Sequence, residues 1–299
     1  MKYNKILLAV MVGTMMLSGC SSQPKQPDTD AAQQPRQAET VKKLSFKELG
    51  DIGGCASLYM PGNLAAAAAT NSSYEKAQDD TSFYGNSEDA WQSLLDGERD
   101  IVFAYEPSEQ MAQELKEQNI TWKQVGTDAL VFLAGGTDVS PALKQQDIVQ
   151  AYEQKHPTWS GYASAPQTDS HMLFDRLLAS GNPAVKGKVM ADGNTAACPH
   201  TQGTLCYTTY LSFLDHSKPE NTALVQVDGV LPGAQTLDAY ALRVPYYAAC
   251  RSDLDVNDAD MIFYRWLTSE EGMMWLRQET LTPQTLETME EPAAEQTDE

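Results

Sequence analysis

Residues 87–105 read SEDAWQSLLDGERDIVFAY, and this stretch decides the fold class. Ser87 is a good helix N-cap, and the two acids that follow it stabilise the positive end of a helix dipole. These signals predict a helix over Ser87–Leu95. The IVFAY at its end is a short apolar run, which is typical of a buried strand at Ile101–Tyr105. A helix that leads into a buried strand indicates an α/β fold.

The same alternation of amphipathic helices and short apolar strands continues outward from this stretch. Three further strands are predicted, at Ala129–Ala134, Ala223–Val227 and Arg243–Cys250. Three further helices are predicted, at Ser108–Glu117, Ser170–Ala179 and Asp258–Gln278. No internal repeat is present in the sequence. Strands that alternate with helices in this way favour an α/β body.

The composition of the 299-residue chain fits a folded, acidic protein. Hydrophobic residues make up 42% and charged residues 21%, which allows a sizeable core. The formal net charge of −20 argues against nucleic acid and against an anionic membrane surface as partners, because both require a positive protein surface. With four histidines, five cysteines and no CxxC pair, the sequence predicts no metal site. We expect no cofactor either.

The first twenty residues, MKYNKILLAVMVGTMMLSGC, have the features of an export signal. Lys2 and Lys5 supply the positive start, and Ile6–Leu17 is an apolar stretch too short to span a membrane comfortably. The Leu-Ser-Gly-Cys at its end resembles the bacterial lipobox, in which the cysteine is acylated and becomes the new N-terminus. This resemblance implies a signal peptide over residues 1–19 and a palmitate-type lipid anchor on Cys20. The alternative is an uncleaved signal anchor.

The segments on either side of the body hold few residues that a core would bury. Residues 20–40 are rich in Gln, Pro and Ser, which predicts a solvated tether. Residues 289–299 predict a disordered acidic tail. The protein is therefore expected outside the cytoplasm, held to the bacterial cell membrane by its lipid alone.

Four cysteines lie outside the lipobox, at positions 55, 198, 206 and 250. An even number of cysteines in an exported chain favours disulfides. Cys198 and Cys206 lie close together in the sequence, around a proline and a glycine, which suits a local disulfide between them. Buried free thiols are the alternative.

Seven segments of the body resemble, in the family's order, the phosphate-binding-protein-like receptors of the type II periplasmic solute-binding fold. The first, GGCASLY at residues 53–59 followed by Pro61, resembles their DGATxxYP segment. The other segments are residues 91–103, 106–108, 126–132, 143–159, 228–247 and 266–272. No single segment is specific, so the resemblance depends on their common order over residues 45–283.

The resemblance implies an α/β fold of two lobes, joined by two crossover strands, with a ligand in the cleft between them. Lobe 1 is expected to comprise residues 41–133 and 241–288, and lobe 2 residues 134–240. The implied function is capture of a small anionic solute, phosphate or a related oxyanion, for the permease of an ABC importer.

The resemblance also implies a ligand site made of three loops and one acid. Such a site holds an oxyanion by hydroxyls, loop amides and helix N-termini, and does not require a positive net charge. The implied ligand-binding residues are Ala56, Ser57, Leu58, Ser87, Glu106, Thr168, Asp169, Ser170 and His171. Glu106 takes the place of an acid that accepts a hydrogen bond from protonated phosphate and repels sulfate. Structural roles are the alternatives: Ser87 as a helix cap, Ser57 in a turn and Glu106 as a solvated acid.

The third loop departs from the family pattern Arg-x-x-x-Ser-Gly-Thr/Ser. The arginine position falls on Ser164 and the glycine position on Asp169, and residues 160–170 include no basic side chain. Asp169 adds a negative charge beside the expected anion, which His171 offsets only when it is protonated. The alternative function is therefore a degenerate cleft, in a lipoprotein that acts as a surface sensor or scaffold without anion transport.

The sequence gives no support for catalysis. It has no GxSxG elbow, no HExxH pair and no GxxxxGK[ST] loop. Asp253–Asn257 resembles the start of a calcium loop, but the sixth position is Asp258 instead of glycine and the twelfth is Tyr264 instead of glutamate. We therefore expect that the protein is not an enzyme.

Overall fold

A computed structural model describes residues 44–182, 184–189, 201–216 and 220–282. The strands are β1 (Ile52–Gly54), β2 (Ser82–Phe83), β3 (Ile101–Tyr105), β4 (Trp122–Gly135), β5 (Ala142–Leu143), β6 (Ser160–Ala163), β7 (Lys188–Val189), β8 (Thr204–Thr209), β9 (Thr222–Leu224), β10 (Gln226–Val227) and β11 (Arg243–Cys250). The helices are α1 (Tyr59–Thr70), α2 (Tyr74–Asp80), α3 (Ser87–Leu95), α4 (Glu109–Glu117), α5 (Gln145–Tyr152), α6 (Asp169–Phe174), α7 (Tyr210–Asp215), α8 (Ala259–Leu267) and α9 (Glu270–Leu281). A π-helical turn over Asp175–Ala179 continues α6.

Strand β4 joins the two halves of the main sheet, whose order is β2-β1-β3-β11-β4-β8-β6-β7. Residues 122–129 of β4 pair antiparallel with β11, and residues 130–135 pair antiparallel with β8. On one side β1 is parallel to β2 and β3, and on the other β6 is parallel to β7 and β8. The α/β class and the crossover strands expected from the sequence are thus confirmed, with β11 at its predicted bounds.

The observed β4 is longer than the predicted Ala129–Ala134. Every residue from 129 to 135 is buried, whereas the preceding WKQVGTD is largely polar and partly exposed. Hydrophobicity alone therefore identifies only the second part of the strand. The first part forms because β11 supplies its hydrogen-bond partners, from Tyr247 opposite Gln124 to Arg243 opposite Ala129.

Aromatic side chains fill the core on both sides of β4. Phe174 stacks on Tyr207 with ring centroids 4.6 Å apart, and Tyr152 lies 4.5 Å from Phe174. On the other side Trp91 is fully buried, and its indole N–H donates to the Tyr105 carbonyl oxygen at 2.9 Å. Burial of each such side chain stabilises the fold by about 1.5–3 kcal/mol.

The predicted helix Asp258–Gln278 is two helices. Helix α8 ends at Leu267, and Ser269 caps α9 by accepting from the Gly272 amide at 3.1 Å. The turn is tight, because a Cβ at Gly272 would lie 2.1 Å from the Trp266 carbonyl oxygen. The break escapes the sequence prediction because apolar residues continue at helical spacing through it.

The predicted strand Ala223–Val227 is also divided. Strand β9 pairs with β4, whereas β10 pairs with β5 in a separate two-stranded sheet. Val225 lies between them, and its amide donates to the Phe132 carbonyl oxygen at 2.9 Å. The two short strands therefore belong to different sheets although their sequence reads as one apolar run.

Several predictions concern residues outside the described ranges. These are the signal peptide, the tether with Cys20, the acidic tail and Cys198. Cys206 is disulfide-bonded, and Cys55 and Cys250 are free thiols. In the described ranges, no helix has the length and apolar character needed to cross a membrane. The exact boundaries of the two lobes stay a prediction.

Candidate functional site

The candidate site lies where the carboxyl ends of β1, β2 and β3 come together. These three strands are parallel, so the loops that leave them emerge at the same edge of the sheet. The loop after β1 carries Cys55 and Ser57, the loop after β2 leads into α3 at Ser87, and Glu106 follows β3. The loop after β6, which ends at Asp169, reaches this edge from the other half of the protein.

Ser87 is the centre of the contact between the two halves. It is 3% exposed, and both its amide and its hydroxyl donate to Asp169 Oδ1, at 2.8 and 2.7 Å. The Ser87 hydroxyl oxygen accepts in turn from the Tyr105 amide at 3.0 Å. Both donors of Ser87 are therefore satisfied by the Asp169 side chain of the same protein.

The helix cap of α3 differs from the sequence prediction. Asn86 is the N-cap: its side chain accepts from the Asp89 amide at 3.1 Å, and Asp89 accepts from the Asn86 amide at 3.0 Å. This reciprocal capping box satisfies the first turn and leaves Ser87 as the first helical residue. The Ser87 hydroxyl therefore does not cap the helix and donates to Asp169 instead, and the prediction of Ser87 as the N-cap was wrong.

Asp169 is a buried acid whose Oδ1 accepts two hydrogen bonds, both from Ser87. The residue is 3% exposed, and Oδ2 has no hydrogen-bond partner among the described residues. Burial raises the pKa of Asp169, and this rise is opposed chiefly by the donors of Ser87 and, less, by the nearby Cys55 and Ser57 side chains. The same burial, together with the Asp169 charge, raises the pKa of the Cys55 thiol well above its usual value. The thiol is therefore protonated and unreactive at neutral pH.

Three further contacts hold the cleft closed around this pair. The Asn86 side-chain amide donates to the Gln167 carbonyl oxygen at 3.1 Å. Arg176 lies 3.7 Å from Glu106, and the Ser212 hydroxyl donates to the Ser57 carbonyl oxygen at 3.5 Å.

Two predicted ligand-binding residues of the loop after β1 donate their amides to backbone oxygens of the chain itself. The amide of Ala56 donates to the Gly85 carbonyl oxygen at 3.2 Å, and the amide of Leu58 donates to the Cys55 carbonyl oxygen at 3.0 Å. Leu58 is fully buried in the core, and Ala56 is exposed. Among the predicted donors of this loop, the Ser57 hydroxyl is the one directed at the Asp169 carboxylate.

The remaining predicted residues of the third loop form the start of α6. Thr168 is the N-cap, accepting from the His171 amide at 3.3 Å, and the Ser170 hydroxyl lies 3.2 Å from the Thr168 hydroxyl. His171 faces away from Ser87: its Nδ1 lies 2.7 Å from the Tyr207 hydroxyl. Burial lowers the pKa of His171, so at neutral pH it brings no positive charge to offset Asp169.

A cavity of about 460 Å³ opens beside the Ser87–Asp169 contact. Its lining includes acidic, hydroxyl and apolar side chains and a single cation: Ser87, Glu88, Tyr105, Glu106, Pro107, Ser108, Glu109, Asp169, Met172, Leu173 and Arg176. Its size falls in the ordinary range for small-molecule pockets. The structure thus brings Ser87, Glu106 and Asp169 to one cavity and leaves His171 outside it.

Sequence reasoning missed two residues that shape this region. Arg176 lies in the predicted helix Ser170–Ala179 and follows Asp169, the residue just before that helix, by seven residues or about two turns, which is a signal that both face the same side. Asp128 is fully buried on β4 and accepts from the Tyr105 hydroxyl at 2.6 Å and from the amides of Ala129 and Leu211 at 2.7 and 3.0 Å. It lies within a predicted family segment, but only the tertiary structure shows these partners.

Comparison with known proteins finds solved structures with a similar fold, but no family model or curated protein that matches the sequence. An ABC-type phosphate transport receptor from Vibrio cholerae superposes with a TM-score of 0.55 at 15% identity, over 78% of this chain and 99% of that chain. A Clostridium perfringens protein assigned as a phosphate ABC transporter substrate-binding protein, solved with bound phosphate, gives 0.55 at 13% identity, over 77% of this chain and 97% of that chain.

Solute class varies among structures of this fold. A protein described as periplasmic and assigned to metal binding superposes with a TM-score of 0.54 at 15% identity, over 76% of this chain and 90% of that chain. The chain therefore has the two-lobed α/β fold of phosphate-binding-protein-like solute receptors. At these identities the likeness establishes the fold alone, and the ligand must be argued from the residues of this cleft.

Proposed function

We propose that this protein is an extracytoplasmic solute-binding lipoprotein that captures a small solute in the cleft for an ABC permease. The observation that carries the proposal is the cavity of about 460 Å³ beside the Ser87–Asp169 contact, where segments from the two halves of the protein meet. Closure of two lobes over a site is how receptors of this architecture sequester a ligand. The solute-binding fold of the chain supports the same role.

Export and anchoring belong to the proposal because of the N-terminal sequence. The Leu-Ser-Gly-Cys at residues 17–20 supplies the acyl acceptor, and residues 21–40 supply a tether of sufficient length to hold the body away from the membrane. The negative net charge keeps the body off an anionic bilayer, so the lipid is the membrane contact. We propose no catalytic role for the cleft.

The sequence resemblance favours phosphate or a related small oxyanion as the ligand. Whether such an anion binds depends on the position and protonation of the Asp169 carboxyl group. Its carboxylate already accepts both donors of Ser87, so an oxyanion must displace it or must bind while it is protonated. Burial raises the pKa of Asp169, which increases the protonated fraction as the pH falls. Phosphate binding to the natural chain should therefore be weak and should strengthen toward acid pH.

The test is titration calorimetry with phosphate and with sulfate at pH 6 and pH 8.5, on the natural chain and on Asp169→Gly. The variant restores the family's glycine and releases Ser87, so phosphate affinity should rise at least tenfold over that of the natural chain. Asp175→Gly, which changes an exposed acid in the π-helical turn that follows α6, is the matched control and should behave like the natural chain. Sulfate binding as tight as phosphate binding, in either protein, would contradict the role of Glu106 and the oxyanion proposal.

A second candidate function is favoured by one specific observation. The donors that an oxyanion would use at Ala56, Leu58 and Ser87 are all bound within the chain. This arrangement also suits a degenerate cleft in a surface sensor or scaffold that transports nothing. If no small solute, anionic, neutral or cationic, raises the melting temperature of the natural chain, the capture function fails and this second function is supported.

A further inference from the structure

We propose that residues 283–291, PQTLETMEE, fold back onto the body and bind a groove between helix α9 and the crossover strands β4 and β11. The groove is a cavity of about 300 Å³, and none of the described residues lines both it and the cavity beside Ser87. The inference therefore concerns a separate surface and does not depend on which solute the cleft takes. It follows from the uncovered face of α9, from the point where the chain leaves that helix, and from charge.

One wall of the groove is a face of α9 that the body leaves partly uncovered. The helix lines the groove with Met273, Met274, Arg277 and Leu281, which recur at helical spacing and so lie on one side. Met274 is 65% exposed, whereas Leu276, on the side that faces the core, is fully buried. Methionine side chains are flexible, so this face can adapt to a segment laid across it.

The other wall forms where β4 and β11 depart from regular pairing. Their register shifts between Tyr246 and Tyr247, which leaves Val125 without a residue opposite it. The Tyr246 ring lies against Gly126, where a Cβ would be 2.2 Å from the ring. Because Gly126 has no side chain, the aromatic ring reaches the strand and lines the groove. The groove thus has an aromatic surface opposite the methionines of α9.

The chain leaves α9 at this groove. Leu281, the last residue of the helix, lines the groove, and Thr282 has an extended backbone with φ −96° and ψ 106°. The proline at position 283 cannot continue a helix and favours this conformation in the residue before it. The lining extends along α9 from Glu270 to Leu281, about 18 Å, and nine extended residues span up to about 30 Å. Residues 283–291 are therefore long enough to follow the groove to its far end.

The segment has the side chains that such a groove binds. Leu286 and Met289 are large and apolar, and three glutamates lie beside them at positions 287, 290 and 291. Burial of the two apolar side chains against the methionines and Tyr246 would favour docking. Residues 292–299 include no large apolar side chain, so the segment that docks ends before them.

Charge favours the same occupant. Arg277 lines the groove, and Arg243 lines an adjoining hollow of about 450 Å³ that shares Gln124 and Thr127 with it. Arg277 already holds Asp238 in an exposed ion pair, whereas the exposed Arg243 can take a carboxylate of a docked segment. On a protein with a net charge of −20, this pair of guanidinium groups attracts an acidic segment that is tethered beside it.

Chemical cross-linking of the full chain without residues 1–20 tests the docking. Thr288→Cys places a thiol within the segment, and Gln124→Cys places a second thiol in the groove. A short bis-maleimide should join these two thiols at least tenfold faster than it joins the Thr288→Cys thiol to a Lys123→Cys thiol. Lys123 is the matched control, because it is exposed, precedes Gln124 on β4 and points to the opposite face of the sheet. Mass spectrometry of the digested protein measures both rates.

A second pair of variants tests whether the apolar side chains hold the segment. Leu286→Asp with Met289→Asp, added to the Gln124 pair, should lower cross-linking to the rate of the Lys123 pair. Gln296→Asp with Thr297→Asp adds the same charge beyond the segment and should keep the fast rate. All these changes lie outside the buried core, so each variant should fold, and circular dichroism checks this.

Equal rates at Gln124 and Lys123 would overturn the docking. A fast rate that survives Leu286→Asp with Met289→Asp would overturn it as well, because the segment would then lie near the groove without binding it. A cross-link between two chains, recognised by a doubled mass and a yield that rises with protein concentration, would assign the groove to a second copy of the protein instead.

Discussion

At the scale of the residue, Asp169 is the side chain that distinguishes this cleft from the family pattern. The family pattern that the sequence resembles has a glycine where this chain has Asp169, and the added carboxylate accepts hydrogen bonds from the Ser87 hydroxyl and amide. Both donors of Ser87 are therefore satisfied within the chain. The unpartnered Oδ2 of Asp169 and its raised pKa are the consequences of burying a carboxylate with too few donors.

Asp128 is a second buried acid, and it makes stability depend on pH. Burial raises its pKa to about 6, although Tyr105, Ala129 and Leu211 donate to it. Because the folded pKa lies above the ordinary value near 3.8, the native state holds the proton more tightly than the unfolded chain. This favours folding at low pH, and the advantage is lost as the pH rises from about 4 through about 6.

Asp128→Asn should therefore reduce the loss of stability between pH 4.5 and pH 7.5 by an amount on the order of 2 kcal/mol. The amide stays neutral and keeps an oxygen for the two backbone donors. Urea unfolding of both proteins at the two pH values measures the difference. Asp138→Asn, at an exposed position, should keep the pH dependence of the natural chain. Parallel curves for the natural chain and Asp128→Asn would show that this carboxyl does not titrate in the range.

At the scale of the element, the turn between α8 and α9 depends on a residue without a side chain. Gly272 lies in the first turn of α9, and its Cα approaches the Trp266 carbonyl so closely that a Cβ would lie 2.1 Å from that oxygen. The Ser269 cap fixes this geometry from the other side. The glycine thus allows the chain to turn where the hydrophobic pattern predicts a continuous helix.

Gly272→Ala should lower the free energy of unfolding by about 1–3 kcal/mol, because backbone must move to admit the methyl group. Thermal unfolding followed by circular dichroism measures the change. Gly233→Ala is the matched control, since its added Cβ would meet only the Thr236 hydroxyl, at 3.3 Å. A melting temperature for Gly272→Ala equal to that of the control would show that the turn has more freedom than its geometry indicates.

At the scale of the whole molecule, several polar contacts join the two sides of the cleft, in addition to the apolar packing of Tyr210 and Leu211 in the common core. Asp169 with Ser87, Asn86 with Gln167, and Arg176 with Glu106 connect its two sides. Arg176 and Glu106 are both well exposed, so their ion pair contributes little. The buried Ser87–Asp169 hydrogen bonds are then the strongest of these polar contacts, and their removal should favour an open form.

Asp169→Ala should open the cleft and raise the radius of gyration measured by small-angle X-ray scattering. The reason is that both hydrogen bonds to Ser87 disappear and the exposed contacts that remain are weak. Asp175→Ala changes the same charge at an exposed site and should scatter like the natural chain. Identical scattering from Asp169→Ala would mean that packing alone keeps the protein closed.

Anchoring is also a property of the whole molecule. Cys20→Ala removes the thiol that the lipobox offers for acylation, so the variant should lose metabolic labelling by a fatty acid and leave the membrane fraction. Cys250→Ala, a buried free thiol in β11, is the control and should label normally. Lipid labelling that persists in Cys20→Ala would contradict the anchor.

The sequence by itself determined the α/β class and the bounds of α3, β3 and β11, because these are encoded by local periodicity, caps and short apolar runs. The solute-receptor fold was indicated by the resemblance of seven ordered segments to a known family. The sequence also located Ser87, Glu106 and Asp169 as residues of one cleft and identified Asp169 as a departure from the family. Only the tertiary structure decided what this departure does. Asp169 and Ser87 are 82 residues apart, and hydrogen bonds across such a separation leave no trace in local pattern. The burial of Asp128, the break between α8 and α9 and the approach of Arg176 to Glu106 were fixed in the same way, by contacts between distant segments.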